Sequence, residues 1–141
     1  MEPKIKINFN LIGKNVDLDD ITEQLGILPS SKRTLDDWPD CIKDNISKLP
    51  EELWPRYIWE LIIDYEPSRT VRQQLNQLMN HLQEKIQIIN ELREKYALRI
   101  GVEVIIIIME SGNQPEMFLP RDVVEFLASI HADIGFDMYI D

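Results

Sequence analysis

Two histidines, one cysteine and two short runs of aspartate are the residues from which this chain of 141 could assemble a reactive centre. Nucleophilic chemistry needs a base within hydrogen-bond reach of the nucleophile and a third group to orient that base. Cys41 is the one candidate thiolate, and His81 and His131, which could activate it, stand far along the chain. A lone cysteine excludes an internal disulfide and a multi-cysteine zinc site, and Cys41 reads as a small buried thiol. His81 falls one residue off an apolar helical stripe. His131 sits where a helix ends, a place that favours a cation. Neither Gly-x-Ser-x-Gly nor a phosphate-cradling glycine loop occurs, and the chain has only 5 glycines to build one.

The aspartates carry less than their number suggests. A calcium loop needs oxygens at alternate positions over about twelve residues and a distal glutamate, which Asp17, Asp19 and Asp20 do not supply. A helix start explains them better, with Asp17 as the N-cap and the other two in the first turn. Asp36, Asp37 and Asp40 surround Trp38-Pro39 and read as solvated turn residues. No catalytic, cofactor-binding or metal-binding residue is therefore assigned, and the chain is expected not to be an enzyme. The most interaction-like cluster is Lys32 and Arg33 beside Trp38, since Arg and Trp are common interface anchors. Trp38 is nevertheless expected to pack inward.

Charge narrows the partners. Lys and Arg number 15 against 25 Asp and Glu, a net charge of −10. Nucleic acid and anionic membrane surfaces both select clustered bases, so neither is expected. A basic protein partner would be steered toward this chain. The first ten residues lack the apolar core of a signal peptide, and the most apolar run, Val104 to Met109, is too short to cross a bilayer. A reducing cytoplasm is the expected compartment.

Hydrophobic periodicity supplies the frame for these residues. Ile5, Ile7, Phe9 and Leu11 alternate with Lys6, Asn8 and Asn10, the pattern of a half-buried strand. Leu18, Ile21 and Leu25 form one face of a short helix that Gly26 stops and Pro29 prevents from resuming. Residues 30–55 are irregular yet carry Leu35, Trp38, Ile42, Ile46, Leu49, Leu53 and Trp54. They read as a packed excursion with one short helix over 41–48. Tyr57, Trp59, Leu61, Ile63 and Tyr65 alternate as a second strand. Thr70 with Gln73 is a capping-box pattern, opening a stripe from Val71 to Tyr96 at spacings of three and four. A helix that long outruns most strands, so a kink near Gln83 is expected. A third strand covers about 98–109. Pro120 opens another helix with Val123, Phe126, Leu127 and Ile130 inward. Ile134, Phe136, Met138 and Ile140 then mark a last strand.

The ends echo one another: residues 20–25 and 122–127 share three identities and one conservative pair. The chain thus reads as one α+β domain of two strand–helix–strand halves, about 4–66 and 98–141, separated by a long helix over about 70–97. A ferredoxin-like sandwich is the economical closure, with a four-stranded sheet and helices on one face. Its other face would carry Lys6, Asn8, Asn10, Glu60 and Glu103 together with Ile58, Ile62, Ile105, Ile107 and Tyr139, and the four isoleucines are too apolar to stand in water as one patch. Either the excursion covers it or a second copy does. The intramolecular cover is the preferred expectation, and the chain is otherwise a homodimer through the sheet face.

With Leu25-Gly26-Ile27-Leu28-Pro29-Ser30, Trp59 and Tyr139 in place, the chain from about Ile5 to Asp141 resembles the uncharacterised bacterial family known as domain of unknown function 4279. Members often follow the Pro-Ser corner with a basic residue, a glycine and an acid. Here Lys32-Arg33-Thr34-Leu35-Asp36 lacks that glycine, which implies a different local loop. The resemblance implies a small bacterial protein of unassigned activity and carries over no site residue.

These observations point to a non-catalytic protein-binding module. Its interaction candidates are Lys32, Arg33, Trp38, Ile105, Ile107 and Tyr139. A sharper form is an immunity or antitoxin-like protein that neutralises a basic toxin. The rival is a small-molecule-binding regulatory domain with a pocket between sheet and excursion, an inference from fold analogy alone.

Overall fold

The computed structural model describes residues 2–141. Strand β1 (Lys4–Gly13) buries Ile5, Ile7, Phe9 and Leu11 completely and leaves the intervening residues half-buried, as its alternation dictates. Helix α1 (Leu18–Leu25) begins where Asp17 accepts hydrogen bonds from the Asp19 and Asp20 amides, both at 3.1 Å. It ends at Gly26, whose φ of 68° is the left-handed cap that glycine supplies without a Cβ penalty. A three-residue strand β2 (Ser31–Arg33) follows, then a short helix α2 (Asp40–Lys43) among 3₁₀ turns. Strand β3 (Tyr57–Pro67) leads to α3 (Val71–Leu82) and α4 (Ile86–Tyr96). Between these two helices the backbone tightens into a 3₁₀ turn at Gln83–Lys85, at the expected kink. Strand β4 (Arg99–Ile108), helix α5 (Arg121–Ser129) and strand β5 (Ala132–Ile140) complete the chain.

All five strands lie in one sheet, ordered β2-β3-β1-β4-β5. Every neighbouring pair is antiparallel except β4 and β5, which run parallel. The fold is therefore α+β with a mixed sheet, and the expected four-stranded version needs correction. The sequence echo does not build equal halves either. Helix α1 carries the chain from β1 to β2 with β3 between them, whereas α5 joins the adjacent strands β4 and β5. The long helix is no spacer: α3 and α4 form the crossover from β3 to β4 around β1.

A core on the helix side unites Phe9, Trp59, Leu75, Leu78, Ile89, Val104 and Phe126. Phe9 and Trp59 meet edge to face at 6.5 Å, and the Trp59 indole donates to Thr22 Oγ1 at 3.0 Å. A bulge interrupts the β1–β3 register between Ile5 and Ile7, where Asp64 and Tyr65 of β3 oppose Lys6 alone. The Tyr65 amide turns to the Asp64 carboxylate at 2.7 Å. This extra residue overturns the simple alternation of β3: Tyr65 meets the Lys6 ammonium, 5.0 Å from its ring centroid, on the side away from the helices.

The excursion does not seal the sheet. None of residues 30–54 is buried, and Cys41, expected inside, is exposed. Four residues of α2 and a separate 3₁₀ turn at Ile46–Lys48 replace the single helix expected there. With three prolines breaking it, the segment satisfies its backbone by local turns instead of a continuous helix. It gathers at the Gly13 end of the sheet, where Lys14 pairs with Glu51.

Candidate functional site

The uncovered face of the sheet can be read row by row from the strand registers. One row runs Ser31, Glu60, Asn10, Gly101, Asp133, and the next Ile62, Asn8, Glu103, Gly135. Lys6, Ile105 and Asp137 follow, then Lys4, Ile107 and Tyr139. The isoleucines do not form one apolar patch, because the polar side chains of β1 run between them. Ile105 and Ile107 are half-buried beside exposed Tyr139 on one side, and Ile58 and Ile62 lie across β1 on the other.

The centre of this face is a shallow trough of about 390 Å³ over β1, β4 and β5. Gly101 and Gly135 make its floor, with open space where a Cβ would stand. Asn10, Arg99, Glu103, Asp133 and Asp137 rim it. The register sets Glu103 opposite Gly135, so the carboxyl of Asp137, two residues on, comes within its hydrogen-bond reach. Sharing a proton with Asp137 pushes the Glu103 carboxyl above its usual range. Partial burial and the Asp137 and Glu60 charges add to this, and Lys6 opposes it. The Oδ1 atoms of Asn8 and Asn10 are shielded from solvent and, among the described residues, find no donor. An acceptor left in that state costs about 1–3 kcal/mol. This is an anionic, acceptor-rich surface that suits ammonium or guanidinium groups.

The other singled-out residues disperse. Lys32 points to the helix side and pairs with Asp19 at 3.1 Å. Arg33 stacks over the Trp38 ring at 5.3 Å, while the Trp38 indole donates to the Arg56 carbonyl at 3.2 Å, which leaves Trp38 half-buried at one corner of the sheet. Asp37 closes a 3₁₀ turn by accepting from the Thr34 amide at 2.7 Å, and Asp40 pairs with Lys43 at 3.3 Å. His81 and His131 are exposed on separate elements, and neither approaches Cys41 within a hydrogen bond. Among the described residues, no group of three His, Cys, Asp or Glu side chains is placed to hold a metal ion.

A second carboxylate cluster is structural. Asp20 in the first turn of α1 accepts from Lys95 at 2.8 Å and from the Tyr96 hydroxyl at 2.5 Å. Lys95 and then Tyr96 hold the Asp20 carboxyl below its usual range, and Asp20 in turn raises both partners. The cluster clamps α1 to the end of α4.

Sequence reasoning assigned Asn8, Asn10 and Glu103 to this face but did not join them to Asp137, because that contact depends on the β4–β5 register. One signal was available: Glu103 is the single charge in the run Val102–Ile108. No helix among the described residues is long and apolar enough to cross a membrane. No curated protein and no solved structure matches the chain. A family model does, that of a domain of unknown function, DUF4279, over residues 3–141, and the chain belongs to that family.

Proposed function

We propose that the protein is a non-catalytic binding module whose docking surface is the open sheet face and whose partner is a basic protein. The observation that carries this reading is the trough itself, where the carboxylates of Glu103, Asp133 and Asp137 meet over a glycine floor. A partner laying Arg or Lys across it would pair with the Glu103 and Asp137 carboxylates and separate their charges. The net charge of −10 would speed such an encounter. A basic toxin is the sharper form of that partner, and a cytoplasmic setting suits an exposed free thiol. The finer fold reading supports the same use. Strands β1 to β4 with their two crossovers follow the split arrangement of a ferredoxin-like sandwich, extended by α5 and β5, and such a sheet keeps one face free.

An octa-arginine peptide is a suitable probe for titration followed by amide chemical shifts. Shifts should concentrate at Asn8, Asn10, Glu103, Asp133 and Asp137, and affinity should fall as salt rises. Glu103→Lys with Asp137→Lys should abolish binding, whereas Glu23→Lys on the exposed side of α1 should not. Equal weakening by both variants, or shifts spread over the helices, would overturn the assignment.

A further inference from the structure

The two edges of the sheet are built differently. Strand β2 closes one edge with three exposed residues, two of them the bases Lys32 and Arg33. Short, charged edges of this kind discourage pairing with another chain. Strand β5 closes the other edge with nine residues and contains no Lys, Arg or Pro.

Its backbone phase can be read from one bond. The Asp141 amide donates to the Ile108 carbonyl of β4 at 2.9 Å. Alternate residues of a strand turn both backbone groups to the same side, so odd-numbered residues bond to β4. Ile134, Phe136, Met138 and Ile140 therefore present their N–H and C=O groups outward. Their side chains share the helix side with Val102, Val104, Ile106 and Ile108, their partners in register. There they hang beyond the helices, Phe136 at 38%, Met138 at 41% and Ile140 at 78% exposure. Phe118 in the loop after β4 and Val124 on α5 are also exposed apolar side chains, at 61% and 49%.

We propose that this edge joins a second copy of the same chain, with β5 pairing antiparallel to its counterpart about a two-fold axis at Phe136. In that register Phe136 opposes Phe136 of the second copy and Ile134 opposes Met138. Each opposed residue has its backbone groups outward, so each such pair exchanges both hydrogen bonds. On the open face Asp137 falls opposite Gly135 and Asp133 opposite Tyr139, so no like charges stand directly across. Moving the axis to Gly135 would oppose Asp133 with Asp137, and moving it to Asp137 would oppose that residue with itself. Only the Phe136 register among these three matches apolar with apolar and avoids that repulsion. A two-fold, self-complementary contact is the commonest way for like subunits to associate. Both copies are acidic, so salt strengthens this association, opposite to its effect on a basic partner. The open faces of the pair then form one continuous surface.

Sedimentation velocity on the full chain, from roughly 1 to 500 μM, tests this at low and high salt. The mass should rise from 16.6 kDa toward twice that value, more completely at high salt. Phe136→Lys places two ammonium groups on the axis, and Met138→Pro removes an outward N–H that β4 does not use. Both should hold the chain at 16.6 kDa, while Leu28→Lys, which removes an exposed apolar side chain near the other edge, should dimerise as the wild type does. Amide exchange on the wild-type chain gives a readout free of folding effects. The Phe136 and Met138 amides should gain protection as concentration rises. A wild type that stays monomeric at high salt, variants that still dimerise, or protection gained elsewhere would each overturn the proposal.

Discussion

Replacing Gln74 by Leu should destabilise the protein by ~1–2 kcal/mol, although it makes the interior more apolar. Gln74 is fully buried on α3, facing the start of β1. Its amide donates to the Ile5 carbonyl at 3.2 Å, and its own oxygen accepts from Gln77 at 3.0 Å. Gln77 also donates to Glu66 at 2.9 Å, and Glu66 is the register partner of Ile5 across the bulge. The two glutamines thus hold both strands where the ladder slips by one residue. Leucine would fill much the same volume but remove the bonds to the Ile5 carbonyl and from Gln77, at a cost of ~1–3 kcal/mol partly offset by its apolar burial. Gln74→Ala would remove the same bonds and leave a cavity, so its loss should be larger, ~2–4 kcal/mol. For a chain of this size the Leu variant should melt roughly 3–6 °C lower. Urea unfolding followed by tryptophan fluorescence should show a lower midpoint at unchanged slope, with Ala below Leu and Leu below wild type. A Leu variant as stable as the parent would refute the argument, because the carbonyl would then need no partner from α3.

Gly13→Ala should cost ~1–3 kcal/mol, since overpacking a filled site forces its neighbours to move. The new Cβ would stand 2.5 Å from Val16 Cγ2 and 3.1 Å from Leu98 Cδ2, and urea midpoints would show the loss. Asp137→Asn should raise stability at pH 7 and flatten its dependence on pH. The folded state holds the Glu103 proton above the usual value of 4.5, so that contribution is present below pH 4.5 and is lost as pH rises through the elevated folded value. Thermal melts of both proteins across that window check the sign, and an unchanged slope would remove Asp137 as the cause.

Local physics wrote much of this fold legibly. The alternation of β1, the Asp17 cap, the Gly26 stop and the break at Gln83 each depend on a few neighbouring residues. The excursion was harder, because its apolar residues suggested a cover while its prolines forced short turns that keep it half-exposed. Strand β2 has no hydrophobic pattern at all, since Ser31, Lys32 and Arg33 are all exposed and join the sheet through backbone pairing with β3. Tyr65 was misplaced because a bulge changes which face a side chain takes without changing the sequence pattern. The acidic trough shared this difficulty. Its residues were visible singly, but the Glu103–Asp137 contact exists only through a parallel register between strands separated by a helix.

The echo between residues 20–25 and 122–127 shows how such a signal can be sound locally and mislead globally. Both segments open helices with an acid in the first turn, Asp20 against Lys95 and Tyr96, and Asp122 within 3.4 Å of Arg72. Both bury the two inward positions, Ile21 with Leu25 and Val123 with Leu127. Those demands belong to any short amphipathic helix that starts near a sheet, so they fix residue types without fixing where the chain goes next. After α1 the chain skips a strand and returns through the excursion, which places β2 and β3 antiparallel on one side of β1. After α5 it lays β5 parallel beside β4, with nothing beyond. The asymmetry in connection is therefore what leaves one edge of the sheet short and charged, the other long and apolar. The second of these is the edge on which a partner strand can be added.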